Sequence, residues 1–253
     1  MTADPTTDSL MYFQHSDEIW SDHPQLVAGV LTATRITADA VVEPRIEAFT
    51  MLAKARLAGG TEADLPEIQA WRRAFSTMGL KPTRYRCASE SLLRRFRKDG
   101  ALPRIHPLVD LCNAVSLAFA IPVAALDVAR ISGHLEVRHA AGDESYLTLS
   151  GEPESPEPGE VTFVDAAGHA HARRWTNRQS GHSAVRATTR TVLIVTEAMH
   201  ASAAKDVPDL IATLAEALSS VWPTTVRTAT LSRSAPRFDL PVQPSGTEDE
   251  TPR

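Results

Sequence analysis

The stretch from Pro103 to Glu144 limits the fold most, because it cannot be one element. It opens PRIHPLVDLCNAVSLAF, where Val109, Cys112, Ala114, Val115, Leu117 and Ala118 have the apolar spacing of a buried helix face. Pro122 cannot extend that helix, since its ring removes a backbone donor and clashes with the preceding turn. Gly133 marks a bend, and the alternating Leu135-Glu-Val-Arg that follows predicts a half-buried strand. Asp110, Asn113 and Ser116 ride on the helix three residues apart, which puts these polar groups near one side of it.

The chain has 253 residues, 43% of them hydrophobic, enough for one large domain or two small ones. There is no apolar run near 18 residues, so no membrane span is expected. MTADPTTDSL lacks the basic start of a secretory signal. Cys87 and Cys112 form neither a ligand spacing nor a disulfide framework, which suits a reduced, cytoplasmic setting.

Charge is unevenly placed. Trp71 to Arg104 carries ten basic and two acidic residues, hence +8, while the whole chain is −5 and the remainder therefore −13. Attraction to phosphate is local at physiological salt, so an acidic protein with one basic face can still bind nucleic acid. Within this window Lys81-Pro82 predicts an extended loop carrying Arg84, Tyr85 and Arg86. Ser89 reads as the cap of a helix to about Lys98, with Leu92, Leu93 and Phe96 inward and Arg94, Arg95 and Arg97 outward. Arginine forks suit phosphates, and Tyr85 offers a stacking face for a base. A solvated helix face is the alternative reading of the same run.

Elsewhere, residues 1–10 and the Pro-rich, acidic tail 234–253 read as disordered, leaving 11–233 as the folded domain. Met11 to Ile36 reads as a strand region. Pro44 opens a helix to about Leu57, ended by Gly59-Gly60, and Asp64 caps another that ends near Gly79. Tyr146-Leu-Thr-Leu is a strand, SGEPESPEPG is a surface excursion, and Val161-Thr-Phe-Val pairs as a hairpin with His169 to Trp175. Thr191 to Thr196 is the most hydrophobic strand. Asp206 caps a helix with Leu210, Ile211, Leu214 and Leu218 on one face, and Thr224 to Leu231 is a further strand.

Few motifs announce chemistry. His169 and His171 share a strand face, but no acidic or cysteine partner stands at a recognised spacing, so no metal is expected. There is no Gly-rich phosphate loop, no cofactor is expected, and Ser180-Gly-His-Ser is not a nucleophile elbow.

PRI-PLVD-N-VSL, then IP and D-ARI-G-LEVR-A-G-E, resembles the B3/B4 module of the bacterial phenylalanyl-tRNA synthetase beta subunit. The likeness runs from about Phe75 to Glu197 and takes in PGEVTFVD at 158–165, RRWTNRQS at 173–180 and TRTVLIVTE at 189–197. The resemblance implies an α/β (α+β) single domain of the B3/B4 type, with a mixed sheet flanked by helices. It also implies hydrolysis of an amino acid wrongly esterified to tRNA. Nothing resembles the synthetase's ATP-binding or aminoacylation parts, so the module reads as freestanding, with tRNA as its partner and no DNA.

Carried over by position, Asn113 matches the asparagine of the family's Thr-Asn pair and Cys112 stands at the threonine. Ala124 stands at a histidine, and Gly181 at the glutamate that reads the tyrosine hydroxyl. Loss of that acceptor removes the main means of preferring Tyr over Phe. Freestanding members share R-Y-R--SE-LLRR and RRW--RQ with this chain. With the basic run itself, the resemblance makes Arg84, Tyr85, Arg86, Arg94, Arg95, Arg97 and Lys98 the expected RNA contacts. Arg178 and Gln179 replace the lost polar pair and join Asn113 as catalytic candidates. For Arg178 an ion pair with Glu90 or Asp110 is the equal alternative. Cys112, Ser116, Ala124, Gly181, His106 and Glu144 are the candidate substrate contacts.

The expected function is thus a trans-acting aminoacyl-tRNA deacylase that needs only a positioned water and oxyanion donors, since the ester is already activated. The alternatives are a non-catalytic tRNA-binding module, or a binder of free amino acid in the old pocket.

Overall fold

Residues 11–241 are described by the structure, a computed structural model; the N-terminal segment 1–10 and the tail beyond 241 lie outside the described residues. Four strands, β2 (Val27–Ala33), β3 (Val123–Asp127), β10 (Val192–Ala198) and β11 (Val226–Leu231), form an antiparallel sheet in the order β11-β2-β10-β3. Its central strands are apolar on both sides because both sides are covered. Leu193 and Val195 of β10 face one core, while Val192 and Ile194 face another. Ala28 and Val30 of β2 likewise split from Leu31 and Ala33, as a two-residue period requires.

The second core lies under helices α2 (Glu43–Leu57), α5 (Pro107–Phe119) and α6 (Ala203–Val221). α5 is the expected buried helix. It ends where Ala120 turns left-handed (φ 58°) and Pro122 follows, and Ser116 Oγ donates to Ile121 O at 2.7 Å to close the end. α6 lays Val207 and Ile211 on β2 over Gly29. A Cβ there would stand 2.6 Å from Ile211 Cγ1 and 2.8 Å from Val207 Cγ1.

The first core is shared with a larger mixed sheet and with α1 (Asp17–Asp22), α3 (Pro66–Thr77) and α4 (Ala88–Asp99). That sheet runs β12 (Arg237–Asp239), β1 (Tyr12–His15), β4 (Leu135–His139), β7 (Val161–Asp165), β8 (His169–Arg173), β5 (Ser145–Leu147), β6 (Pro153–Glu154), with β9 (Arg178–Gln179) also on β8. β1–β4 and β5–β8 are parallel and the other pairs antiparallel, so the expected mixed sheet with flanking helices is present. A separate antiparallel sheet accompanies it.

Four local expectations change. Met11 to Ile36 is not continuous strand: Ser16 Oγ accepts from Ile19 N and starts α1, which buries Ile19 and Trp20. The tail does not leave the fold at Ser234, since β12 pairs with β1 and buries Phe238 and Leu240. Ser89 is not the cap of α4; Cys87 holds that position and Ser89 is buried within the first turn. α6 begins ahead of Asp206, whose carboxylate accepts from Ser202 Oγ and His200 Nε2.

One end of the mixed sheet is fixed by buried charge. Arg173 donates to both oxygens of Glu160 at 3.0 and 2.9 Å and to Glu154 at 2.7 Å, with only 5% of its side chain exposed. Glu160 also accepts from Arg174 N at 2.8 Å. Burial alone would raise the Glu160 pKa, but the Arg173 and Arg174 hydrogen bonds outweigh it and hold the group below its ordinary value.

Two outcomes follow from this packing. Gly29→Ala should destabilise the fold by about 1–3 kcal/mol in urea unfolding, because the added methyl overpacks the α6 contact. Glu160→Gln should cost about 3 kcal/mol at neutral pH by leaving Arg173 partly unpaired. A depressed folded-state pKa contributes stability above the unfolded value, and that stability is lost as pH falls through the folded value. The gap between native and Glu160→Gln chains should therefore narrow as pH falls below the ordinary glutamate range and close as it passes the lower folded-state value, as checked by unfolding across pH.

Candidate functional site

Between the two sheets lies a narrow cleft with a cavity of about 70 Å³. β3 supplies Ala124 and Leu126 to it and β10 supplies Val195 and Glu197, with Phe163 and His171 across from the mixed sheet. Its rim is the turn from Trp175 to Gln179. Arg174 and Trp175 are both left-handed there (φ 48° and 57°), a conformation costing an L-residue roughly 1–2 kcal/mol. What the turn gains is visible at Trp175: its N–H donates to Val161 O at 2.7 Å, and its fully buried indole Nε1 donates to Glu197 Oε1 at 2.8 Å.

Glu197 is the carboxylate of this cleft and is only 2% exposed. His15 Nε2 donates to the same Oε1 at 2.6 Å. A buried carboxylate needs such partners, since desolvation without them is prohibitive. Neither Glu197 nor His15 stood out in sequence. The one signal was a lone charge closing the most hydrophobic strand. His171 is also wholly buried; its Nδ1 accepts from Ser183 Oγ at 2.8 Å and its Nε2 lies 3.2 Å from Asp165 Oδ2.

Of the sequence candidates, the cleft gathers Ala124, Arg178 and Gln179. Gln179 Nε2 donates to Ala125 O at 2.7 Å and ties β9 to β3. Arg178 pairs with Glu154 at 3.1 Å and lies over the Tyr146 ring, so its ion-pair partner is neither Glu90 nor Asp110.

Asn113 is elsewhere, and its grouping with Arg178 and Gln179 is corrected. It lines a groove between α2, α5 and the end of α4, beside Lys54, Arg104 and Asp110. Cys112 points the other way into the core, where burial pushes its thiol up to about 12; Cys87 is pushed up to about 11, so both stay protonated. His106 caps α5, its Nδ1 accepting from Leu108 N at 3.2 Å, and burial lowers its pKa. Ser116 is spent on Ile121 O. Glu144 organises its own loop, accepting from Ala141 N and Gly142 N at 2.9 Å and pairing with Arg138 at 2.8 Å. Gly181 is packed against Thr148 O, 2.6 Å from where a Cβ would stand, so no side chain fits there.

The basic window is less free than its sequence suggests. Arg94 and Arg97 both grip the buried Glu62, at 3.0 and 2.9 Å, and Arg95 approaches Asp99 at 3.6 Å. All three arginines still keep about half of their side-chain surface exposed (46%, 48% and 57%). Lys98 stands beside them on α4. The loop before α4 is different, because it meets the cleft. Asn177 Nδ2 donates to Arg86 O at 2.7 Å, and Ala88 N donates to Thr176 O at 2.8 Å. Arg84 and Arg174 approach the Tyr85 ring, 5.2 and 4.8 Å from its centre, and Arg86 approaches Glu90 at 3.3 Å.

Among the described residues, two clusters have the donor atoms for a cation: Asp165 with His169 and His182, and Glu67 with His200 and Asp206. In the second, Arg56 already neutralises Glu67 at 2.6 Å and the histidine is buried. No helix of the described residues is long and apolar enough to cross a membrane.

Phenylalanine–tRNA ligase beta subunits are 36% identical over 61 residues in Legionella pneumophila (strain Paris) and 36% over 76 residues in Cereibacter sphaeroides. These matches cover 24% and 30% of this chain but 8% and 9% of the relatives, so the chain spans about a tenth of their length. A solved N-terminal fragment of the phenylalanyl-tRNA synthetase beta subunit from Pyrococcus horikoshii aligns with 90% of this chain and 53% of its own, at TM-score 0.47 and 10% identity. The family model of the B3/4 domain matches residues 70–208, more than half of the chain and all of the cleft's walls and rim. The chain belongs to the B3/4 domain family.

Proposed function

We propose that the chain is an aminoacyl-tRNA deacylase that receives the acyl end of a mischarged tRNA in the cleft between its two sheets. One observation carries this reading: the Arg84–Arg86 loop, with its arginine-flanked tyrosine, is hydrogen-bonded to the cleft rim through Asn177, and Ala88 at the start of α4 bonds Thr176 beside it. A strand end threaded over Tyr85 by stacking would deliver its terminal ester to Gln179 and Arg178. Hydrolysis there needs a held acyl group, a positioned water and donors for the developing oxyanion. Asn177, Arg178 and Gln179 offer amide and guanidinium donors along one rim, and Ala124 leaves room in the wall. Glu197 gives the floor an acceptor, so the favoured acyl groups carry a hydrogen-bond donor.

One feature favours the second reading, a tRNA-binding module without turnover. Arg178 is tied to Glu154 and the Gln179 amide to Ala125 O, so both polar groups already have partners.

Incubating the chain with a panel of mischarged tRNAs should release amino acid from at least one of them, and Gln179→Ala should slow that release on the order of 100-fold. No release from any member contradicts turnover. Arg84→Ala with Arg86→Ala should weaken tRNA binding and lower the slope of log affinity against log salt by about 1 for each phosphate no longer neutralised. An unchanged slope removes the loop from the RNA interface.

A further inference from the structure

The hairpin β7–β8 and the loop after β9 bring a carboxylate and two imidazoles together outside the cleft. Asp165 ends β7 and His169 opens β8 across a turn made by Ala166, Ala167 and Gly168, the last at φ 80°. His182 arrives from the loop after β9. Ligand atoms of the three residues lie within 4.8 Å of one another. We propose that Asp165, His169 and His182 bind a divalent transition cation of the zinc class.

Four observations carry the assignment. Bonds of about 2.0 Å in tetrahedral geometry put neighbouring ligand atoms roughly 3.3 Å apart, and Asp165 Oδ2 already lies 3.2 Å from His169 Nδ1. His182 stacks on His169 at 4.3 Å between ring centres and 17° between planes. Parallel rings aim their lone pairs along parallel lines, so closure needs one ring to turn about its Cβ–Cγ bond, a soft torsion.

The carboxylate is held from behind, as metal-binding carboxylates are. Oδ1 accepts from Ala167 N and His169 N at 3.0 and 2.9 Å, and Oδ2 from Ser132 N at 3.0 Å. His171, fixed by Ser183, flanks Oδ2 at 3.2 Å with an Nε2 that is buried and otherwise unpartnered. An imidazole-rich set with one carboxylate suits zinc, nickel or copper, not magnesium or calcium.

The site also has an entrance, since 34% of the His169 side chain is exposed. Three protein ligands leave a fourth position for water. The bound ion clips the hairpin turn to the His182 loop, and His171 links that clip to the cleft wall.

The test uses the full chain stripped with a chelator and returned to Zn2+ or Co2+. It should take up about one Zn2+ per chain, gain the visible absorption of tetrahedral Co2+, and melt at a higher temperature with Zn2+ but not with Mg2+. The His169→Ala/His182→Ala double variant leaves the Asp165 turn bonds in place and should lose all three effects. In the native chain, ring NMR signals of His169 and His182 should shift at one equivalent of Zn2+ while those of His134 and His139 do not. Uptake equal in native and double variant, or ring shifts that spare His169 and His182, would overturn the site and leave Asp165 a turn carboxylate only. These readouts are binding and spectra, so they stand or fall separately from deacylation.

Discussion

A carboxylate shut between two sheets must be paired where it lies, and Glu197 is held by His15 and Trp175. The three residues come from β10, β1 and the turn after β8, so one carboxylate oxygen joins both sheets to the cleft rim. The left-handed backbone at Arg174 and Trp175 makes sense in this light, because it turns the indole N–H toward that oxygen. Around it the packing is ordinary: residues alternate across the four-stranded sheet, and helices cover the face opposite the cleft.

Much of the frame was legible because its signals are local. Pro122 stops α5, the Asp165-Ala-Ala-Gly turn closes a hairpin, and the apolar spacing of Leu210 to Leu218 marks α6. Elements whose stability is tertiary were not legible. α1 has six residues and persists because Ile19 and Trp20 are buried; β12 pairs as an edge within a segment whose composition reads as tail. The site was half legible. Ala124, Arg178 and Gln179 do meet in the cleft, whereas Asn113 sits on the side of α5 that faces α2 and α4. Helical spacing says which residues share a side but not which neighbour that side meets. Glu62 shows the same limit for charge, since it neutralises arginines 32 and 35 residues away.

Under the proposed function, those pairings move the expected RNA contacts from α4 to the loop before it. Arginines held by a buried glutamate are stiffer and partly compensated, while Arg84 and Tyr85 meet solvent next to the cleft. In the proposed deacylase, loop and cleft would act as one surface, with phosphate and base contacts outside and the acyl group within. The changed family positions fit this arrangement. Ala124 and Glu197 line the cleft, and Gly181, pressed on Thr148 O, has no room for a side chain.

The most direct measurement is a crystal structure with a non-hydrolysable aminoacyl-adenosine analogue. The acyl group should lie between β3 and β8 within hydrogen-bonding reach of Gln179 or Glu197, with the adenosine directed toward Tyr85. An analogue seated in the Asn113 groove, or a cleft closed to it at saturating concentration, would contradict the account.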